Sequence, residues 1–376
     1  MKRKRLLVIV GSVCLSLMLV ASLLAGCAPE EEEEVVVTPE EEEEVVTPEE
    51  EEEEEFIPVV LSYSDNNPPK SLLPSEGIDW FCSEVERRTD GRVAFETYYG
   101  GSLLSLPEGF DGCGAGIADM ATMCVSYSPA EMSLGLMGSL IFMAPTSDVA
   151  VRAWQDLRDS YIWPAFEQEL AAQNVTTLFT HPQASVQLML RDQRVTCLED
   201  LQGLNLRGDA ILIEVWKALG AVPVALSFAE IYGAMSTGTV DGSQGYSQSI
   251  IAWKFDEVAD YWVLCNLGAA AADCGGIINL DLWNSLPPDI QAIMRQVGRE
   301  AALRYTFALA KAEAEGVRHF EETGGEVIVL SPAERDRWFE IAKPAVVESV
   351  REKAIAQGLP WDEAFELFME YIERYE

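Results

Sequence analysis

From residue 288 to about 323 the chain has no interior proline, and its apolar residues recur at helical spacing. A helix of about 35 residues, rising ~1.5 Å per residue, reaches roughly 50 Å. One domain of ordinary size is narrower than that, so the spacing predicts a helix that crosses two domains. Gly298 and Gly316 are the positions where it is expected to bend. The length of 376 residues suffices for two domains, and a hydrophobic content of 48% supplies a large core.

Upstream, strand and helix patterns alternate. Residues 59–64, 92–98, 119–125, 175–180, 186–190 and 204–207 read as strands. Helical spacing marks 76–88, 106–116, 210–219 and 228–236, and one long helix is expected over 148–173 with a kink at Pro164. A late strand over 326–330 and two helices close the chain. This rhythm predicts an α/β fold with largely parallel sheets, in two lobes, with the long helix spanning both. Two such lobes leave a cleft between them, the usual place for a small ligand. The expected first lobe is 56–183 with 271–310, and the second is 184–270 with 311–376.

The N-terminal segment reads as an address. Lys2–Arg5 form a basic region, an apolar run follows, and Leu24-Ala25-Gly26-Cys27 resembles a bacterial lipobox. The apolar run is long enough for a plain membrane anchor. The small residues before Cys27 favour a signal peptide over 1–27, cleaved so that the Cys27 thiol carries lipid. Residues 28–55 alternate runs of Glu with Val-Val-Thr-Pro and cannot bury a core, so they read as an acidic tether. The expected location is the extracytoplasmic side of a membrane, held by the lipid anchor alone.

Charge and composition exclude several functions. The formal net charge is −37, and acidic residues still outnumber basic ones once the Glu runs are set aside. Nucleic-acid binding needs Lys and Arg to neutralise phosphates, so no nucleic-acid partner is expected. Six cysteines remain beyond Cys27: Cys82, Cys113, Cys124, Cys197, Cys265 and Cys274. None forms a C-x-x-C pair, and the two histidines are His181 and His319. No metal site and no organic cofactor are therefore expected, and the sequence leaves the disulfide state open. No Gly-x-Ser-x-Gly elbow occurs, so the chain reads as a non-enzyme. An exported hydrolase working through paired carboxylates stays open as a rival.

Several segments together resemble one family, the solute-binding proteins of tripartite ATP-independent periplasmic (TRAP) transporters. They are Val85-Glu86-Arg87-Arg88-Thr89-Asp90-Gly91-Arg92-Val93, Leu198-Glu199-Asp200-Leu201-Gln202-Gly203-Leu204-Asn205-Leu206-Arg207, Phe228-Ala229-Glu230-Ile231-Tyr232, Thr237-Gly238-Thr239-Val240-Asp241-Gly242 and Trp283-Asn284-Ser285-Leu286-Pro287. The resemblance implies a two-lobed fold like that of periplasmic binding proteins, and that Arg207 grips the carboxylate of an organic acid. A guanidinium fork matches a carboxylate through two charge-assisted hydrogen bonds. A surface salt bridge from Arg207 to Asp200 or Glu199 is the competing reading. The resemblance also places Phe228 at the pocket wall, against the alternative of a plain core aromatic.

Departures from the family narrow the ligand. Many members carry a second arginine near the position of Gln187, and an Asn or Trp near Ser243-Gln244-Gly245-Tyr246. Without the second cation a mono-carboxylate fits better than a dicarboxylate. Gln187, Gln244 and Tyr246 would hydrogen-bond its tail, with Met123, Ser126 and Tyr127 contributing from the first lobe. The resemblance further implies lobe closure about hinges near 183–185 and 268–272, and delivery of the ligand to TRAP membrane subunits on separate chains. A ligand-sensing or scavenging protein without a transporter would share the same fold.

Overall fold

The computed structural model describes residues 58–376; Cys27, the signal segment and the whole tether lie outside the described residues. In chain order the strands are β1 (Val59–Ser64), β2 (Val93–Tyr98), β3 (Met120–Cys124), β4 (Val175–His181), β5 (Gln187–Leu190), β6 (Asn205–Gly208), β7 (Val222–Ala225), β8 (Gly242–Gly245), β9 (Tyr261–Leu264), β10 (Cys274–Asn279) and β11 (Glu326–Val329). They divide into two sheets, ordered β2-β1-β3-β10-β4 and β11-β9-β5-β8-β6-β7. The fold is thus mixed α/β in two sheets.

The sheets are mixed rather than largely parallel. β1, β2 and β3 run parallel, as do β6, β7 and β8, but β10 is antiparallel to both of its neighbours and so is β5. The cause is the crossing between sheets. The chain leaves β4 for β5, and later leaves β9 for β10, and the two crossing segments lie side by side. Gln183 N donates to Ala270 O at 3.0 Å, Leu267 N to Val186 O at 3.1 Å, and Ser185 bridges Ala269. Segments that cross in opposite directions as neighbours pair antiparallel, and the strands they join inherit that sense.

Helix Pro288–Glu322 is continuous over 35 residues, as its spacing required. Its first half buries Ile290, Met294, Val297 and Ala301 against the first sheet, with Leu61, Phe81 and Leu178. Its end buries Phe320 beside Trp262 and Met189 of the second sheet. Gly298 and Gly316, where bends were expected, both lie inside this uninterrupted helix. They let the helix approach other backbone: a Cβ at 298 would stand 2.5 Å from Leu178 O, and one at 316 would stand 1.8 Å from Ser247 O.

The single helix expected over 148–173 is two, Ser147–Arg158 and Trp163–Ala172. Pro164 sits in the first turn of the second, where its missing N–H costs nothing. The closing helix Trp361–Tyr375 packs on Ser147–Arg158, with Phe368 and Trp154 rings 5.6 Å apart and Tyr375 Oη donating to Asp156 at 3.0 Å. No described helix is long and apolar enough to cross a membrane.

Candidate functional site

Arg207 lies near the C-terminal end of β6. Strand alternation turns Leu206 into the core with Trp216 and sends the Arg207 side chain to the other face. Gly208 makes the strand-to-helix turn possible, because a Cβ there would meet Ile213 N at 2.8 Å. Asp209 then caps helix Ala210–Ala218, accepting from Leu212 N at 3.3 Å. Trp216 Nε1 donates to Arg207 O at 2.9 Å and ties this helix to the strand.

The Arg207 side chain is 0% exposed. Its Nε donates to Leu226 O at 2.8 Å and its Nη2 to Tyr127 Oη at 2.7 Å. Nη1 has no hydrogen-bond partner, and the nearest carboxylate oxygen, Asp209 Oδ2, is 3.7 Å away. The surface salt bridge considered for Arg207 is absent: Glu199 pairs with Arg337 at 2.6 Å and Asp200 accepts from Thr196 N at 2.8 Å. Tyr127 is carried by the turn after β3, so its bond to Arg207 joins the two sheets. Its hydroxyl oxygen also accepts from Phe228 N at 2.9 Å. Burial pushes the Tyr127 phenol up despite the opposing guanidinium.

Beside this group lies a crevice lined by residues from both sheets and by Tyr305 of the long helix. Tyr127, Phe228, Gln244 and Tyr246 line it, and Arg207 stands directly behind. The Phe228 ring is 5.9 Å from Arg207 Cζ, 5.1 Å from the Trp253 ring and 6.2 Å from Tyr246. Phe228 thus both walls the crevice and packs on an aromatic group beneath it.

Besides Arg207, three residues named from the sequence do not line the crevice. Met123 alternates with Thr122 and Cys124 along β3, and those two face the crevice while Met123 faces the core. Ser126 acts through another residue, its Oγ and N both donating to Asp273 Oδ1. Gln187 lines a separate surface hollow with Glu313 and Arg318, and exchanges hydrogen bonds with Asn266 at 2.8 and 2.9 Å.

Other lining residues were missed. Asp209 carries no local sign in the sequence that it faces a crevice. Asp273, Cys274, His181 and Gln183 come from the paired crossing segments and strand ends beside them, and nothing local marks them. Cys124 and Cys274 sit opposite each other across β3 and β10, both as free thiols. With Asp273 they bring three candidate donor atoms within 4.8 Å of one another, a set the sequence spacing concealed. Cys124 Sγ donates to Asp273 Oδ2 at 3.0 Å. Neither ring nitrogen of buried His181 has a partner, and burial holds its imidazole down to about 4, with Asp273 opposing.

Comparison with known proteins agrees with this architecture. A family described as bacterial extracellular solute-binding protein, family 7 (DctP) matches residues 64–353. A solute-binding protein of Albidiferax ferrireducens is 26% identical over 280 residues, covering 70% of this chain and 77% of its own. The crystal structure of a TRAP periplasmic solute-binding protein from Desulfovibrio salexigens superposes with a TM-score of 0.71 at 26% identity, covering 85% of this chain and 97% of that one. Another, from Bordetella bronchiseptica with bound (R)- and (S)-mandelate, has a TM-score of 0.75 at 24% identity and covers 85% and 100%. With the family match spanning nearly all of both sheets and the whole long helix, the chain belongs to the bacterial extracellular solute-binding proteins of family 7, the DctP family.

Proposed function

We propose that this protein captures a small mono-carboxylate in the crevice between its sheets, closes on it, and delivers it to the membrane subunits of a TRAP-type transporter. Cys27 would carry the lipid that holds it outside the membrane, with the acidic segment as spacer. The observation that carries the reading is the Arg207 guanidinium. It is fully buried, fixed through Nε by Leu226 O, and its Nη1 lacks a partner while Nη2 meets only a phenol. A carboxylate offers two oxygens to that edge and accepts more strongly than a phenol. The mandelate bound by the Bordetella relative is a compact aromatic mono-carboxylate. Phe228, Tyr246 and Trp253 offer comparable apolar surface here.

Closure would turn on the paired crossing segments around 183–185 and 268–272, with Tyr127 bringing the first lobe onto Arg207. Ligand favours the closed form by touching both sheets at once. The test is a thermal-shift and calorimetric screen of small mono-carboxylates, mandelate and benzoate included, on the wild-type protein and on Arg207→Lys. A ligand at ~100 times its Kd stabilises by about 2.7 kcal/mol. Arg207→Lys keeps the charge and loses the fork, so that gain should largely vanish. Equal gains in both proteins would remove Arg207 from the site.

A further inference from the structure

The charged side chains that line the crevice are both acidic. Asp209 and Asp273 face it, and among the described residues no Lys or Arg does; the one guanidinium, Arg207, stands behind the wall. His181 adds no positive charge near neutral pH, because burial keeps it unprotonated. Asp273 is arranged as an acceptor. Its Oδ1 takes the Ser126 hydroxyl, the Ser139 hydroxyl at 2.6 Å and Ser126 N at 3.3 Å. Its Oδ2 is left with thiols, which are weak donors, Cys124 at 3.0 Å and Cys274 at 3.8 Å. Asp209 spends Oδ1 on the helix cap, and its Oδ2 lies beyond hydrogen-bond reach of Arg207. Burial pushes the Asp209 carboxyl up, and the nearby Asp273 charge pushes it further. Each carboxylate therefore keeps an oxygen without a strong donor. In the same wall, buried His181 leaves both ring nitrogens unpaired.

A plain carboxylate entering this space would set three negative groups around one guanidinium, in surroundings that screen charge poorly. We infer that the solute is a zwitterion of the amino-acid type, its carboxylate on Arg207 and its ammonium held by Asp209 and Asp273. This rests on the carboxylate reading above and narrows it. An ammonium offers three hydrogens and a positive charge, whereas a 2-hydroxy acid offers one hydrogen and none. Two carboxylate oxygens and the Gln244 side chain are the acceptors it would meet, while Phe228 and Tyr246 face the apolar remainder.

The experiment titrates the full soluble chain with α-amino acids. Each is paired with the 2-hydroxy acid and the des-amino acid of the same skeleton, and Kd is read by calorimetry. The expected result is at least one amino acid bound roughly tenfold or more tighter than both its partners. Asp209→Asn keeps the capping oxygen and Asp273→Asn keeps the acceptor for Ser126 and Ser139, so both variants should fold. Each should erase most of the preference, while Arg207→Lys weakens all three acids of a set together. A wild-type protein that binds the des-amino or hydroxy acid as tightly as the amino acid overturns the inference and leaves the carboxylate reading standing. A screen in which no acid of any class binds overturns both. A larger thermal shift with Zn²⁺ than with any organic probe, abolished by Cys124→Ser, assigns the acidic cluster to a metal and overturns the inference as well.

Discussion

A buried guanidinium whose fork is only partly used sits at a delicate balance, because every polar atom around it must answer to another. Tyr127 Oη is the acceptor for two buried donors, Arg207 Nη2 and Phe228 N. Tyr127→Phe strands both and should cost about 1–3 kcal/mol of unfolding free energy, read from urea denaturation. His181 sets a second residue-scale expectation. Its folded value of about 4 lies below the ordinary 6.5, so as pH falls the unfolded chain takes the proton first. Its contribution is present above pH 6.5 and is lost as pH falls toward 4, up to a limit of about 3 kcal/mol. Asp65 at about 6 and Glu313 at about 7 act in the opposite sense, since their raised values favour the folded state at low pH. The readout is therefore the difference between wild type and His181→Leu. The variant should lose less stability than wild type between pH 7 and pH 4, and parallel curves would contradict the assignment.

At the scale of elements, the long helix is held by what its glycines leave out. Gly316→Ala puts a methyl 1.8 Å from Ser247 O, and Gly298→Ala puts one 2.5 Å from Leu178 O. Neither neighbour is a flexible side-chain tip, so backbone must move. Both changes should destabilise by about 1–3 kcal/mol or more, against the gain in helix propensity, with position 316 the more severe. Equal or higher melting temperatures would show that the helix shifts freely. The boundary error at Pro164 has an equally local cause. Apolar spacing continues across 159–162, and only the turn between the two helices shows that Pro164 starts one of them.

The whole molecule has one apolar cluster that runs through both sheets. It joins Phe110, Met123 and Trp154 on the side of the first sheet to Leu188, Leu206 and Trp216 on the side of the second, and on to Trp338 and Phe368 of the closing helices. Two lobes sharing such a core, two paired crossing segments and one helix should unfold together. Calorimetry of the purified protein is expected to show a single transition, coincident by far-UV circular dichroism and tryptophan fluorescence. Two separated transitions would mean that the crossing segments uncouple the halves.

Much of this architecture was written in local pattern. Helical spacing without a proline dictates the long helix, because amphipathic periodicity is a property of neighbouring residues. The order of most strands and helices follows in the same way, and so does an arginine at a strand end just before a helix. β7, β8, β9 and β10 escaped that reading: Gly242-Ser243-Gln244-Gly245 carries no strand signal, and its burial between neighbours makes it one. The facing of Gln187 and Met123 was fixed by which sheet face each strand presents, and that depends on pairing across the chain. Asp273 reaches Ser126 from 147 residues away, and Tyr127 reaches Arg207 from 80. The sequence by itself determined most of the helices and seven of the eleven described strands, and it singled out Arg207. Only the tertiary structure decided the strand directions and the acidic lining, because contacts between distant residues leave no trace in local spacing.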